Sequence, residues 1–321
     1  MDARLAASAA EGRRRTGGVT PSIDVSLLVC TRNRAPSLRR LLASLSHALR
    51  AADGVTVEIV IVDNGSVDAT AALIESWRGT EEAPVRLLHE PRPGLAVARN
   101  TALSAARGAV IAMTDDDCTV DRDFFRALKA CFAEHGGPVV IGGRIRRGDP
   151  ADLPITIKTE DHPMIAPPRS FPGGFVMGAN LAFTASVAAR TGAFDERFGA
   201  GALFAAAEDT DYLFRAMGLG IPVRYDPRIV VDHFHGRRET SEETDLLAGY
   251  SYGDGALYAK HLFRDPRILR FLLRDVADLT RDRWAPVTTH RDIPRFYRFR
   301  LRHKMRGMAA YARAALRSVA A

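Results

Sequence analysis

Cysteine is scarce in this chain: Cys30, Cys118 and Cys131 are the three among 321 residues, and they stand at no metal-ligand or paired spacing. That excludes a disulfide framework and points to a reducing compartment, with the cytoplasm as the expected location. Long apolar runs are missing as well. No stretch reaches the roughly 18 uninterrupted apolar residues that a spanning helix needs. Gly-Lys pairs do not occur, so there is no P-loop, and the turn after the first strand contains no glycine, so the dinucleotide-binding fingerprint is absent too. The body of the chain also lacks positive charge. From residue 261 onward there are 15 Lys/Arg against 5 Asp/Glu, a net of +10; with +7 overall, residues 1–260 carry −3. A mildly acidic body with a basic tail is not the footprint of a nucleic-acid-binding domain, whose basic residues should surround the working site.

What is present is a chain of ordinary globular composition, 46% hydrophobic, able to bury a substantial core as one large or two small domains. Residues 1–22 carry Arg13-Arg14-Arg15 but no apolar core of signal-peptide length, and are expected to form a disordered leader outside the fold. The strand Asp24–Cys30 then runs through Thr31-Arg32-Asn33-Arg34 into a helix with Pro36 in its first turn and Leu38, Leu41, Leu42, Leu45 and Leu49 at helical spacing. Val57–Val62 leads through Asp63-Asn64-Gly65-Ser66 into a helix with Ala71, Leu73, Ile74 and Trp77. Val85–His89 precedes a third helix with Ala96, Ala98, Leu103 and Ala106. Strands and helices alternating at these lengths predict a parallel sheet with helices on both faces. In such sheets ligands bind beyond the carboxyl ends of the strands.

The fourth strand carries the most chemistry. Ala109–Met113 is a short apolar run that ends in Thr114 and three consecutive carboxylates, Asp115, Asp116 and Asp117. Adjacent anions repel one another unless a cation sits among them. In extended backbone Asp115 and Asp117 share one side and Asp116 points away. Two converging carboxylates suit a hard divalent cation, Mg2+ or Mn2+. A turn that merely solvates these acids and caps the helix near Phe124 is the structural alternative.

Taken together, several segments resemble a family-2 glycosyltransferase of the GT-A fold over about residues 24–236. They are Val29–Arg34, Val62–Thr70, Gly94–Asn100, Asp115–Asp117 and Glu208-Asp209-Thr210-Asp211. Each is weak alone; their order and spacing are specific. The resemblance implies an α/β GT-A-type fold, a mostly parallel central sheet with helices on both faces, followed by a helical basic C-terminal extension. Its boundaries would be 23–239 for the catalytic domain, with a nucleotide-binding half at 23–120 and an acceptor and base half at 121–239, and 240–321 for the extension. It further implies a nucleotide-sugar donor across the strand ends. Asp63 would bond the base, Thr31 and Arg34 would lie near nucleoside and phosphates, and Arg99 would face the donor. Asp115 would sit near the ribose and Asp117 on the metal. Because the acids are adjacent, a slip of one position would promote Asp116, so all three stay in the candidate site.

In the second half, the glycine-rich stretch Phe171–Phe183 suits a loop close to a ligand, and the family pattern favours Gly174 and Asn180 as acceptor-side lining. Glu208-Asp209 opens a helix, where the dipole favours acids, and Asp211 and Arg215 are spaced as a structural pair. In inverting relatives such a Glu-Asp pair supplies the general base; Asp209 is the expected base and Glu208 the residue that orients it. By the same similarity His233, ahead of His235, would complete a metal site with Asp117 and Asp115 or touch the diphosphate. Gly249–Gly253 matches G-x-S-x-G, but no buried strand precedes Ser251, which argues against a hydrolase nucleophile.

The expected function is therefore metal-dependent, inverting transfer of a sugar from a nucleoside-diphosphate sugar to a hydroxyl acceptor: a lipid-linked glycan, a polysaccharide or a secondary metabolite. Two alternatives stay open: a sugar-1-phosphate nucleotidyltransferase, whose glycine-rich basic opening loop is missing here, and a catalytically silent nucleotide-sugar binder. The amphipathic, arginine-rich tail at 261–321 adds an anionic membrane surface as a further candidate partner, which would place the protein peripherally at the inner face of the cell membrane.

Overall fold

The computed structural model describes residues 23–284 and 293–320; the expected leader, 1–22, lies outside the described residues. Strands β1 (Val25–Thr31), β2 (Val57–Asp63), β3 (Val85–His89) and β4 (Val110–Asp115) alternate with helices α1 (Ala35–Arg50), α2 (Thr70–Arg78) and α3 (Leu95–Ala105). The four strands pair in parallel in the order β3-β2-β1-β4. Alternate residues of each strand serve opposite faces. Leu27, Val29, Ile59 and Ile61 pack with Leu38, Leu41 and Leu45 of α1 and Ile74 of α2. Leu28, Val60 and Val62 pack with Ala98 and Ala102 of α3. Burial on both faces is why these strands read as continuous apolar runs.

Beyond β4 the chain adds β5 (Cys118–Val120), α4 (Phe124–Ala133), β6 (Val140–Arg147), β7 (Met164–Ile165), β8 (Asn180–Thr184), α5 (Ala185–Thr191), α6 (Glu208–Gly218) and β9 (Val223–His233). β8 runs antiparallel to β4, β6 antiparallel to β8, and β9 parallel to β6. β5 closes the order antiparallel to β9, and β7 attaches to β9. Strand register then decides which polar groups meet. Thr31 lies opposite Asp63 and Cys30 opposite Asp115, which brings the polar strand ends to one edge. Cys118 lies opposite His233, which carries the third aspartate of the run to that histidine.

Three helices follow: α7 (Thr240–His261), α8 (Arg267–Trp284) and α9 (Phe296–Ala320). A capping box between Glu239 and Glu242 starts α7. Ser251 is buried inside this helix, far from any strand-to-helix elbow. The three helices share a core with α6 and the segment before it: Phe198, Phe204 and Phe214 pack with Leu257, Tyr258, Ile268 and Phe271, and Met308 and Tyr311 close over them. Among the described residues no helix is long and apolar enough to cross a membrane.

Candidate active site

The strand ends, α6 and α7 enclose a cleft of about 760 Å³. At its centre lies Arg99 of α3, only 4% exposed. One of its terminal nitrogens donates to Glu208 Oε1 at 2.6 Å and the other to Asp115 Oδ1 at 3.2 Å, so a single guanidinium ties α3, β4 and α6 together. Burial of a charge without partners is prohibitive, and these two carboxylates offset it. Space around the pair is tight. A Cβ on Gly178 would come within 2.7 Å of Arg99, and one on Gly199, whose φ is +98°, within 3.0 Å of Glu208. Burial pushes the Glu208 carboxyl up to about 7, against the pull of Arg99.

The acidic run departs from the expected alternation. β4 ends at Asp115 and the chain turns, so Asp116 does not point away: all three carboxylates line the cleft. They separate by partner. Asp115 takes Arg99; Asp116 accepts from the Thr31 hydroxyl at 2.7 Å; Asp117 approaches His233, whose Nε2 lies 3.2 Å from Oδ1. Burial raises Asp116 to about 6 even with the Thr31 bond. Desolvation opposes ionisation of Asp117 and His233 too, yet each holds the other charged: the aspartate falls and the histidine rises. Arg34 reaches to 3.9 Å from Asp117 Oδ2.

Asp209 sits on the first turn of α6 inside the cleft. Its Oδ2 accepts from the Gly178 backbone N–H at 2.9 Å and its Oδ1 from the Thr210 N–H at 2.6 Å, which fixes the carboxylate in position. Asp211 is turned away from the cleft, to Arg215 at 2.9 Å as its spacing predicts, and also to Lys260 and His261.

Of the residues expected at the site, the cleft gathers Thr31, Arg34, Arg99, Asp115, Asp116, Asp117, Gly174, Glu208, Asp209 and His233. Asp63 stands next to that lining at the end of β2, accepting from Ser66 N at 2.9 Å, with His89 Nδ1 at 3.7 Å. Asn180 is buried behind the lining, where its amide donates to the carbonyls of Arg144 at 2.9 Å and Ile229 at 3.0 Å and fills the bulge between β6 and β9. Its neighbour Ala179 reaches the cleft instead. His235 is spent on local bonds, to Leu153 O at 3.0 Å and Arg237 N at 3.0 Å.

Other lining residues are not among the site residues expected from the sequence. Asn64 lines the cleft while its side chain accepts from Gly94 N and donates to two carbonyls of the β3–α3 loop. Thr156, at φ +51°, meets His233 Nδ1 at 3.2 Å. Leu246, Leu247 and Tyr250 of α7 form a far wall; polar motif spacing could have found Asn64, but nothing marks the helix residues.

Residues 26–189 match the family profile described as glycosyl transferase family 2. The pre-mycofactocin glycosyltransferase of Mycobacterium tuberculosis is 28% identical over 222 residues, covering 66% of this chain and 43% of that protein. The succinoglycan biosynthesis protein ExoO of Rhizobium meliloti is 42% identical over 105 residues, 33% of this chain and 28% of that protein. The chain thus spans less than half the length of these curated relatives. Among solved structures, the mannosyltransferase PcManGT from Pyrobaculum calidifontis, in complex with GDP-Man and Mn2+, superposes with a TM-score of 0.56 at 20% identity, over 94% of this chain and 76% of that one. S. aureus TarS superposes at 0.54 and 16% identity, over 90% and 55%. At these identities the likeness is one of fold, the GT-A fold. The profile match spans half the sequence and contains the strand-end acids and the buried arginine: the chain belongs to glycosyl transferase family 2.

Proposed function

We propose that this protein transfers a sugar from a nucleoside-diphosphate sugar to a hydroxyl acceptor, with inversion at the anomeric carbon. One observation carries the reading: the Asp115–Asp117 run and the Glu208-Asp209 pair, more than 90 residues apart in sequence, meet across Arg99 in a single cleft. The donor would lie along the strand ends, its base toward Asp63 and its diphosphate toward Arg34 and Asp117. Asp209, fixed by Gly178, faces the open cleft and takes the proton of the attacking acceptor hydroxyl. Glu208 and Arg99 keep the first turn of α6 in register with β4, so the base does not drift. A positioned base of this kind contributes about 10²- to 10⁴-fold in rate.

A divalent cation fits the same end of the cleft. Asp117 Oδ1 is buried with no hydrogen bond of good geometry and faces His233 Nε2, and the ligand atoms of Asp117, Cys118 and His233 lie within 4.8 Å of one another. Burial holds the Cys118 thiol neutral, which leaves an oxygen and a nitrogen donor, with Asp115 beside them. Mg2+ or Mn2+ bound there would neutralise charge on the departing diphosphate. The GDP-Man and Mn2+ of the Pyrobaculum enzyme support the choice of donor class and cation.

A membrane-surface partner is read from α8 and the turn before it. Phe263, Leu269, Leu273 and Val276 are exposed together with Arg264, Arg270 and Arg274. The acids of this segment are engaged elsewhere: Asp265 with Arg267, Asp275 with Lys304, Asp278 with Arg281. An apolar and cationic face is suited to anionic lipid.

The test of the transfer reaction is a screen of nucleotide sugars for metal-dependent release of nucleoside diphosphate, with identification of the glycosylated product. Turnover of one donor only with Mg2+ or Mn2+ supports the reading. Donor binding with no release would make the protein a silent binder, and formation of a nucleotide sugar from sugar 1-phosphate would make it a nucleotidyltransferase.

A further inference from the structure

The cleft does not end at Asp209. It continues to a wall supplied by the C-terminal helices, where Leu246, Leu247 and Tyr250 of α7 and Phe296 of α9 line the same space. Residues 246, 250 and 254 are spaced i, i+4 along the helix, so one stripe of α7 looks into the cleft. Tyr250 leaves 43% of its surface open, a large aromatic ring uncovered beside a catalytic carboxylate. At the edge of the wall Asp254 and Arg300 approach to 3.6 Å. The donor end of the cleft, by contrast, is lined by carboxylates, Arg34 and His233.

This wall is held rigidly relative to the base. A Cβ on Gly255 would fall 1.9 Å from the Lys304 carbonyl, and one on Gly307 2.0 Å from the Tyr252 carbonyl, so α7 and α9 cross backbone against backbone. A Cβ on Gly253 would fall 2.9 Å from the Ala206 carbonyl, which presses α7 onto the segment that enters α6. Lys304, buried at the crossing, bonds Asp275 at 2.7 and 2.8 Å and the Tyr258 hydroxyl at 3.1 Å. Two leucines and two aromatic rings, with Ser251, Asp254 and Arg300 among them, are thus fixed in the cleft that holds the base and select what approaches it.

We infer that the α7–α9 wall is the acceptor subsite, and that it favours an acceptor that carries an apolar or aromatic ring beside its attacking hydroxyl over one that is polar throughout. The inference rests on the transferase reading and extends it to acceptor class. Ring packing on Tyr250 supplies the preference, since offset or edge-to-face contact with an aromatic partner adds to simple area burial.

Saturation-transfer NMR on the full chain tests it, with matched para-nitrophenyl and methyl glycosides of glucose, galactose and mannose as probes. The aryl glycosides should bind, with strongest transfer at the aryl protons, and the methyl glycosides should bind about tenfold more weakly. Tyr250→Ala should weaken the aryl glycosides by about tenfold and Tyr250→Phe should retain them, both variants keeping the wild-type unfolding profile. Equal binding of the two probe series, or aryl binding unaffected by Tyr250→Ala, would overturn the subsite. The nucleotide-sugar screen reads the transferase assignment separately, so the two failures are distinguishable.

Discussion

Arg99 holds a position that a lysine cannot fill. Its planar fork reaches Glu208 and Asp115 at once, whereas an ammonium is a single point charge. Arg99→Lys should leave either Glu208 or the part-exposed Asp115 unpaired and cost about 1 to 3 kcal/mol, read from urea unfolding; an unchanged midpoint would show the bridge to be incidental. Asp209→Asn keeps the side chain's size and its place on α6 but removes the proposed base. Turnover should fall about 10²- to 10⁴-fold while nucleoside diphosphate binding persists. Glu208, raised to about 7 by burial, gives a pH test with a definite sign. Protonation removes the charge that holds Arg99, so kcat/KM should rise as pH increases through about 7, and Glu208→Gln should abolish that limb. An identical limb in the variant would assign the titration to another group.

Elements are joined by charge as much as by apolar packing. Asp211, wholly buried on α6, receives Lys260 and His261 from α7 and Arg215 from its own helix. Desolvation alone would raise its pKa, but the bond from His261 and the charges of Lys260 and Arg215 carry it down to about 2. A depressed carboxyl stabilises the fold above its unfolded value and loses that contribution as pH falls through the interval below. Asp211→Asn should therefore cost about 2 kcal/mol at pH 7, with the gap from wild type closing below about pH 4; a gap that stays constant with pH would contradict the linkage. The alternation of β1 to β4 with α1 to α3 was legible because it rests on local periodicity. The pairing of Asp117 with His233 entered only through the family resemblance, because it depends on β5 pairing with β9 over more than a hundred residues. Asn180 is instructive in the same way. The family pattern suggested a ligand contact, and only the bulge between β6 and β9 shows where its amide hydrogens go.

At the scale of the whole molecule, a GT-A body and three C-terminal helices share one core. The extension was readable as helical and basic, but its part in the cleft was not, since the lining residues of α7 follow no pattern that distinguishes them from core. Its outward face makes a separate prediction. Vesicles containing phosphatidylglycerol should cosediment with the protein and phosphatidylcholine vesicles should not, and the double change Arg270→Glu and Arg274→Glu should abolish the effect. Cosedimentation that ignores lipid charge would remove the membrane partner. The central claim, that the separated acids form one nucleotide-binding cleft with a cation at Asp117 and His233, is tested most directly by anomalous diffraction from crystals grown with Mn2+ and a nucleoside diphosphate. The account predicts a manganese peak within about 2.5 Å of Asp117 and His233, with the diphosphate beside it and Asp209 facing the open end. A peak elsewhere, with no metal between those two side chains, would contradict it.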